Sequence, residues 1–438
     1  MRVFFIRVFS NSTANKKTTF GKMKRPEADK MKNSFLFILV IIVVQLSCKE
    51  NVITPPDDKP PGYQDDIPWP SLADSPWPMN NHDPQNTGRG KMSGSLEGIV
   101  DWIFLEQNKY INSSLVIDSD STIYAPFENG GLIAIKPDGT IKWRILEDKT
   151  STPATPILTS TGLIIHSTQA GIYGISKNGT IEWFYPISPI TDYALTIGND
   201  GVIYFITNNF LYALNLNGQI EWSYFNSEFA GVSSLSFSPD SKTLYVPGNI
   251  NTPALIAFDV DKKQIIWRFG RGGTQWSVVD SYGNIYVSAF IDSINNGRGT
   301  LFSLKPDGSI NWFREHVSWS TIGGVPRSSL AKLTLDKSGN LFFVSDSIFS
   351  IDYSGRIRWR KKIEADGFVT SPLVSDENGN IYIVKEKFEH FDLLVFNNQG
   401  DLLFEILNLE DYPGQSPIIA FKKLIIPSGN GQKIFAIK

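Results

Sequence analysis

One short phrase recurs eight times along the chain and limits its possible folds more than any other feature. Seven copies end in tryptophan, as in G-T-I-K-W at Trp143, and the eighth, G-D-L-L-F, ends in Phe404. Successive copies lie 39 to 47 residues apart, a period typical of four-stranded β-propeller blades. The tryptophans are Trp102, Trp143, Trp183, Trp222, Trp267, Trp312 and Trp359.

Each repeat also carries the signals of two hairpins. Segments such as L-V-I-D-S-D-S-T-I-Y place a turn rich in Asp, Asn or Gly between two short apolar runs. Segments such as K-P-D-G-T join a third strand to the strand that carries the tryptophan, because Pro presets φ and Gly accepts positive φ. Aromatic residues make up 13% of the chain, which together with these hairpins predicts an all-β fold of four-stranded antiparallel blades.

The repeat count predicts an eight-bladed β-propeller with terminal strand closure. Seven complete repeats lie between Trp102 and Phe404. The C-terminal segment from Ser416 to Lys438 supplies three further strands, and E-G-I-V-D-W-I-F around Trp102 supplies one strand that has no partner before it. Pairing these segments closes the ring with an eighth blade and leaves no open sheet edge. Because the tryptophans occupy one position per blade and bury a large flat surface, we predict that they pack in the core of the propeller.

The N-terminal region resembles a bacterial lipoprotein signal peptide. From Met31 a short basic start is followed by an apolar core, the small residue Ser47 and then Cys48. We therefore predict a signal peptide over residues 1–47, with translation starting at Met31 or Met23, and a mature chain that begins at a lipidated Cys48. The alternative is an ordinary secretory signal followed by an incidental cysteine.

A linker is predicted between the anchor and the folded body. Residues 48–76 begin with the lipidated cysteine and are rich in Pro and Asp, a composition that favours an extended, disordered segment. The predicted propeller then spans residues 77–438.

Two segments carry a family resemblance. A-F-D-V-D-K-K-Q-I-I-W, from Ala257 to Trp267, resembles the repeat of the pyrroloquinoline-quinone-like (PQQ-like) family, in which quinoprotein alcohol dehydrogenases and the propeller lipoprotein of the outer-membrane barrel-assembly machine are found. W-P-M-N-N-H-D-P-Q-N-T-G-R, from Trp77 to Arg89, resembles the lead-in of bacterial proteins of this group. The resemblance implies that a small residue, an Asp and a Trp dock the blades of each repeat. It implies no single function, since this propeller occurs in both enzymes and scaffolds.

The residues needed for the family's chemistry are not assembled in the sequence. Quinone-dependent members hold their cofactor with calcium and, in many cases, adjacent cysteines, whereas Cys48 is the only cysteine here. The Asp pairs recur at hairpin turns, where Asp caps its own backbone. We therefore assign no catalytic residue, cofactor or metal. The histidines lie in different repeats without metal-ligand spacing, at His82, His166, His316 and His390.

The charge of the mature chain disfavours nucleic acid as a partner. The formal charge is −3, but residues 1–47 hold nine Lys or Arg against two acids. The remaining chain has 32 basic and 42 acidic side chains, whereas nucleic-acid binding needs basic patches that neutralise phosphates.

One face of the predicted ring has longer loops in the later blades. The first-to-second and third-to-fourth turns are all tight, whereas the second-to-third and blade-to-blade loops carry insertions. Exposed Arg and Trp are typical of interaction surfaces, although ordinary solvated loops are the alternative. The candidate partner-binding residues are Arg271, Trp276, Arg298, Trp319 and Arg327.

From these features we expect a non-catalytic lipoprotein of the bacterial envelope, anchored to the outer membrane or cell surface and serving as a scaffold or binding module for a protein or glycan. The rival hypothesis is an enzyme, either a divergent quinoprotein or another enzyme that works in the propeller channel.

Overall fold

Eight four-stranded antiparallel sheets form the blades of a β-propeller, as the repeat count predicted. In each of the first seven blades the strands follow one another in sequence, so that the first strand is innermost and the fourth is outermost. The structure is a computed structural model. It describes residues 59–111, 113–152, 154–187, 195–229, 234–248, 252–271, 276–289, 300–315, 320–322, 325–327, 333–344, 347–362, 369, 372–387, 390–410, 415–428 and 432–438.

Blades 1 to 7 each consist of four consecutive strands. Blade 1 contains β2 (Val116–Ile117), β3 (Ile123–Phe127), β4 (Gly131–Ile135) and β5 (Ile141–Ile145). Blade 2 contains β6 (Ile157–Leu158), β7 (Leu163–Thr168), β8 (Gly171–Ser176) and β9 (Ile181–Pro186). Blade 3 contains β10 (Leu195–Ile197), β11 (Ile203–Thr207), β12 (Phe210–Leu214) and β13 (Ile220–Phe225). A short 3-10 helix, Ser227–Phe229, precedes blade 4, which contains β14 (Ser236–Phe237), β15 (Thr243–Pro247), β16 (Leu255–Asp259) and β17 (Gln264–Phe269).

Blade 5 contains β18 (Ser277–Val279), β19 (Ile285–Ala289), β20 (Thr300–Leu304) and β21 (Ile310–Glu315). A separate hairpin, β22 (Ser320–Ile322) and β23 (Val325–Arg327), then leads to blade 6. Blade 6 contains β24 (Thr334–Leu335), β25 (Leu341–Val344), β26 (Ser347–Ile351) and β27 (Ile357–Lys362). Blade 7 contains β28 (Val374–Ser375), β29 (Ile381–Lys387), β30 (His390–Phe396) and β31 (Leu402–Glu410).

The eighth blade combines the two ends of the propeller, which confirms the predicted closure. It consists of β32 (Ile418–Ala420), β33 (Lys423–Pro427), β34 (Lys433–Ile437) and the early strand β1 (Val100–Leu105). Where the other blades have a turn between their third and fourth strands, Ile99 and Lys438 exchange two backbone hydrogen bonds of 2.9 and 2.8 Å. The two chain segments therefore replace a hairpin turn with direct pairing.

The recurrent tryptophan always faces a small residue across the last two strands of its blade. In blade 1 the partner is Ala134, in blade 2 Gly174, and in the closing blade Ala436, opposite Trp102. A Cβ atom at Gly174 would overlap the Trp183 ring. The small residue that the repeat retains is therefore the surface on which the indole lies.

Apolar side chains fill the spaces between neighbouring blades. The largest cluster joins blades 7, 8 and 1 through residues that include Phe391, Phe435 and Phe127. The closure of the ring is therefore itself a hydrophobic core and includes the half-buried Trp102. The part of the chain that the structure describes has no helix with the length and apolar character needed to cross a membrane.

Candidate functional site

The lead-in segment fills the axis of the propeller. We call residues 77–90 the plug, because their backbone follows the innermost strands in order. The amides of Ile117, Leu158 and Phe237 donate to the plug carbonyls of Trp77, Pro78 and Pro84 at 2.8 to 3.0 Å. Val279, Leu335 and Ser375 donate in the same way to Gln85, Thr87 and Gly88 at 2.9 Å. In six blades, the amide of the last residue of the innermost strand thus donates to the plug. These hydrogen bonds pair the inner edges of the sheets, which would otherwise be open.

Side chains of the plug complete this attachment. Asn86 directs its amide nitrogen at the Ser234 hydroxyl and at the carbonyls of Leu235 and Ser277, at 2.9 to 3.3 Å. Asp83 accepts hydrogen bonds from the backbone amide and the hydroxyl of Thr87. Asn86 has a φ of 57°, a conformation that Asn tolerates better than most residues.

The segment before the plug crosses the face of tight turns. We call residues 59–76 the strap, and we call this end of the ring the turn face and the opposite end the loop face. The Gln64 amide donates to the Lys337 carbonyl at 2.8 Å, and its side-chain oxygen accepts from the Ser281 amide at 2.8 Å. Trp69 Nε1 donates to the Ile197 carbonyl at 2.9 Å. Residues 59–76, which the sequence assigned to the linker, therefore lie against the propeller.

A cavity of about 770 Å³ lies between the strap, the plug and the turn face. The lining includes the apolar strap residues Pro68, Trp69 and Pro70, and it also includes hydroxyl-bearing residues of hairpin turns, among them Ser119 and Ser160. Charged lining residues of both signs are also present. A concave site of this size and mixed polarity is suited to a small polar ligand.

Three basic side chains of the plug region line this cavity. Arg89 is 8% exposed and donates through Nη2 to Asp66 at 3.1 Å, and its buried Nη1 has no hydrogen-bond partner among the described residues. His82 is also buried, and burial lowers the pKa of its imidazole although the neighbouring Asp83 raises it. Lys91 is exposed and forms no ion pair in the described part of the chain. The cavity therefore keeps unused donor capacity.

The carboxylates around the cavity are mostly occupied. Asp118 pairs with Lys177 at 2.6 Å, and Asp65 pairs with Lys59. Burial alone would raise the pKa of Asp83, but hydrogen bonds from His82 and Thr87 outweigh burial and lower that pKa. Among the described residues, no group of three His, Cys, Asp or Glu side chains comes together in a way that could hold a metal.

The buried acids of the hairpin turns cap their own backbone. Asp336 accepts from the amides of Ser338 and Asn340 at 2.9 and 2.8 Å, and from the Asn340 side chain at 2.8 Å. Asp280 and Asp376 repeat the pattern at the turns of two other blades. These carboxylates are turn caps. In the Asp pairs noted from the sequence, Asp120 and Asp259 likewise accept from the amides of Thr122 and Lys262 at 3.0 and 2.8 Å.

The predicted docking tryptophans contact the blade that follows them. Trp102, Trp143 and Trp267 donate through Nε1 to the carbonyls of Pro137, Lys177 and Pro306 at 2.9 to 3.0 Å. Trp312 and Trp359 do the same to Tyr353 and Asn398. Trp222 lies 5.6 Å from the Lys263 ammonium and 6.0 Å from the Phe258 ring. Trp183 packs beneath Gly218 of the next blade.

The structure describes three of the five candidate partner-binding residues. Arg271 is exposed and Trp276 is half-buried, and they stand at the two ends of the connection between blades 4 and 5. Arg327 ends β23, where its backbone pairs with Ser320. Arg298 and Trp319 lie outside the described residues, as do His316, Cys48 and the predicted signal peptide.

The fold can be compared with solved structures. No protein-family model matches the chain, and no curated protein matches it closely enough to be called a relative. The chain shares its fold with BamB. The crystal structure of BamB from Moraxella catarrhalis matches with a TM-score of 0.57 at 15% identity, over 78% of this chain and 99% of that one. Identity this low establishes the propeller fold alone.

Two further structures share the fold at similar distance. The computationally designed Ika8 protein matches with a TM-score of 0.55 at 12% identity, over 80% of this chain and 99% of that one. The Dos1 propeller matches with a TM-score of 0.53 at 10% identity, over 80% of this chain and 94% of that one. Because one of these matches is a designed protein, the fold by itself does not indicate a ligand.

The plug sequence carries a family resemblance, but that resemblance does not indicate that the segment lies in the channel. A usable signal was present, since N-N-H-D-P-Q-N-T-G has no strand alternation and is rich in residues that accept positive φ. The cavity and Arg89 left no comparable signal, because the strap reaches its position through contacts with residues more than 100 positions away.

Proposed function

We propose that this chain is a non-catalytic envelope lipoprotein whose propeller is a scaffold or binding module for a protein or glycan partner. The plug is the observation that carries the proposal. The rival hypothesis, an enzyme of the propeller channel, needs an open axial site, and here the axis holds the chain's own residues Trp77 to Gly90, bonded to six inner strands. The arrangement therefore favours binding at the faces of the ring.

The envelope location rests on the N-terminal pattern. The basic start, the apolar core and Ser47 before Cys48 support lipid anchoring at the outer membrane or cell surface. The resemblance of the repeat to the propeller lipoprotein of the barrel-assembly machine and the fold likeness to BamB both support a scaffold role. The chain's membership of the PQQ-like family is part of the same proposal.

The partner-binding surface is proposed at the loop face. Arg271 and Trp276 bound the blade 4 to blade 5 connection, and the other candidates, Arg298, Trp319 and Arg327, follow later in the sequence. Arginine and tryptophan provide large contact areas and charge-assisted hydrogen bonds, which makes them frequent hot-spot residues.

Quantitative affinity capture tests this function. The tagged lipoprotein is solubilised from membranes, and the proteins and glycans that copurify are compared between wild type, Arg271→Ala, Trp276→Ala and the turn-face control Lys136→Ala. We expect the two loop-face variants to lower recovery of one defined partner about tenfold or more, and the control to leave it unchanged. Equal recovery from all four proteins would place the binding surface elsewhere.

A cofactor test separates the proposal from its rival. Purified protein incubated with pyrroloquinoline quinone and calcium should release both on gel filtration, because the plug occupies the axis. Retention of one quinone per chain, together with oxidation of an alcohol or sugar, would establish the enzyme instead.

A further inference from the structure

The cavity between the strap and the turn face has the properties of a ligand site that is separate from the loop face. Its position is fixed on all sides, since Gln64 and Trp69 tie the strap to blades 3, 5 and 6 and the plug forms its floor. A preformed concave site is the usual setting for small-molecule recognition. None of the described residues of the loop-face surface proposed above, Arg271, Trp276 and Arg327, lines the cavity.

Two basic residues of the lining, Arg89 and Lys91, carry donors that a carboxylate could use. The buried guanidinium of Arg89 already holds one carboxylate, that of Asp66, but through a single contact of 3.1 Å from Nη2. Its Nη1 is buried and has no hydrogen-bond partner in the described chain, although arginine can bind a carboxylate through two parallel hydrogen bonds. Lys91 adds an ammonium without an ion pair nearby. His82 Nε2, also buried, has no partner either.

The remaining lining favours a ligand rich in hydroxyl groups. Four lining residues that carry hydroxyl groups come from three different hairpin turns, and they are Ser119, Ser160, Thr161 and Ser281. Trp69 and the prolines beside it supply a flat apolar wall, against which the C–H face of a sugar ring packs well.

We propose that this cavity binds an acidic saccharide, with the sugar carboxylate on Arg89 and Lys91, the hydroxyls on the turn residues and one ring face on Trp69. The volume of about 770 Å³ accommodates more than one sugar unit. The site goes beyond the proposed function, and it can hold or fail independently of the lipid anchor and the loop face.

Calorimetric titration of the full mature lipoprotein in detergent micelles tests the proposal. The two disaccharide probes are α-1,4-linked digalacturonate and α-1,4-linked galactobiose, which differ only in the oxidation state of carbon 6 in each ring. Acetate is included as a simple carboxylate. We expect digalacturonate to bind with a Kd of about 1 mM or tighter and galactobiose at least about tenfold more weakly, since the charge-assisted hydrogen bonds are lost. Acetate should bind too weakly to measure.

Four variants connect the binding to this cavity. Arg89→Gln should weaken digalacturonate binding about tenfold or more, and Lys91→Gln about threefold or more. Ser160→Trp, at an exposed turn position in the lining, should block the cavity without unfolding the protein. Lys361→Gln removes an exposed lysine of β27 outside the lining and should change nothing.

The proposal is wrong if neither sugar binds, if galactobiose binds as well as digalacturonate, or if acetate competes fully at equal concentration. It is also overturned if Lys91→Gln and Ser160→Trp bind like wild type. Circular dichroism is recorded for every variant. If Arg89→Gln fails to fold because of its place beside the plug, Lys91→Gln and Ser160→Trp decide the outcome.

Discussion

A single side-chain pair repeats around the ring and explains why so little of the sequence needs to be kept from blade to blade. In seven of the eight blades, the indole of the fourth strand lies on a small residue of the third strand, as Trp143 lies opposite Ala134. In five of these tryptophans, Nε1 also donates to a carbonyl in the next blade, as Trp143 does to Lys177 at 3.0 Å. One residue thus contributes packing within a blade and a hydrogen bond between blades.

Trp143 and Trp183 provide a matched test of that hydrogen bond. Both become phenylalanine, which keeps most of the packing area. Trp183 Nε1 has no partner within the described chain, so its substitution removes no hydrogen bond. We expect Trp143→Phe to lower the free energy of unfolding by about 1 kcal/mol more than Trp183→Phe, measured by urea denaturation. Equal losses would mean that docking relies on packing alone.

His166 should make the protein less stable in mild acid. It is buried with Nε2 3.2 Å from the Ser151 hydroxyl, and burial lowers the pKa of its imidazole to about 3. Below about pH 6.5 the unfolded chain binds a proton that the folded protein does not, so stability falls as pH falls from about 6.5 to about 3.

The His166→Gln variant isolates this effect. Between pH 7 and pH 5 the wild type should lose about 2 kcal/mol of unfolding free energy more than the variant, by denaturant titration at both pH values. If the unfolding free energies of the two proteins changed in parallel between pH 7 and pH 5, His166 would take up its proton in the folded protein over the same pH range as in the unfolded chain.

At the scale of elements, two segments from the start of the chain hold the ring together. β1 pairs with β34 along the outer edge of blade 8, and the plug pairs with the inner edges of six blades. Without β1, blade 8 would have three strands and an unpaired outer edge. Without the plug, backbone amides of six inner strands would lack their hydrogen-bond acceptors. The plug and β1, which are close together in the sequence, therefore bind the inner edges of six blades and the outer edge of blade 8 respectively.

Adjacent residues on β1 test the outer closure. Phe104 is 7% exposed and belongs to the cluster that joins blades 7, 8 and 1, whereas Ile103 is 52% exposed. Phe104→Ala should lower the free energy of unfolding by about 3 kcal/mol or more because it opens a cavity in the core. Ile103→Ala should change it by less than about 0.5 kcal/mol. If calorimetry gave the same melting temperature for both variants, β1 would not close the ring.

Asn86 tests the inner closure. Asn86→Asp keeps the shape and the tolerance of positive φ, but it turns a donor that faces three oxygen atoms into a buried carboxylate. We expect a loss of about 3 kcal/mol or more at pH 7, and a smaller loss near pH 4, where the new acid is protonated. Asn217→Asp, at an exposed turn position, serves as the control and should be nearly neutral. Similar stability of both variants would make the plug dispensable.

At the scale of the whole molecule, local signals predicted the architecture and distant contacts escaped prediction. The blade count and the closure followed from a repeated phrase and from turns such as K-P-D-G-T, whose structure depends on near neighbours. The plug and the cavity depend on contacts between residues far apart in sequence, such as Gln64 with Ser281. Residues 59–76 are predicted as linker because of their Pro- and Asp-rich composition. Composition gives no sign of the hydrogen bond from Trp69 to blade 3.

The strap also fixes where the chain enters the propeller. Lys59 and Gln64 lie at the turn face, where Gln64 contacts Lys337 and Ser281. The predicted lipid anchor, Cys48, is only eleven residues upstream of Lys59, a reach of at most about 40 Å when fully extended. We therefore expect the turn face to stay near the membrane and the loop face to point away from it, towards partners.

Energy transfer from labels at the two ends of one strand tests this orientation. The exposed residue Asn129 lies just before β4 at the loop face, and the exposed residue Lys136 lies just after β4 at the turn face. The two residues are about 20 Å apart. Because Cys48 is the only native cysteine and is blocked when lipidated, Asn129→Cys and Lys136→Cys can each take a single donor dye. In liposomes with acceptor-labelled headgroups, the donor at position 136 should be quenched more than the donor at position 129. Failure of the protein to float with the liposomes would contradict the anchor, whereas stronger quenching at position 129 in floated protein would reverse the orientation and leave the anchor in place.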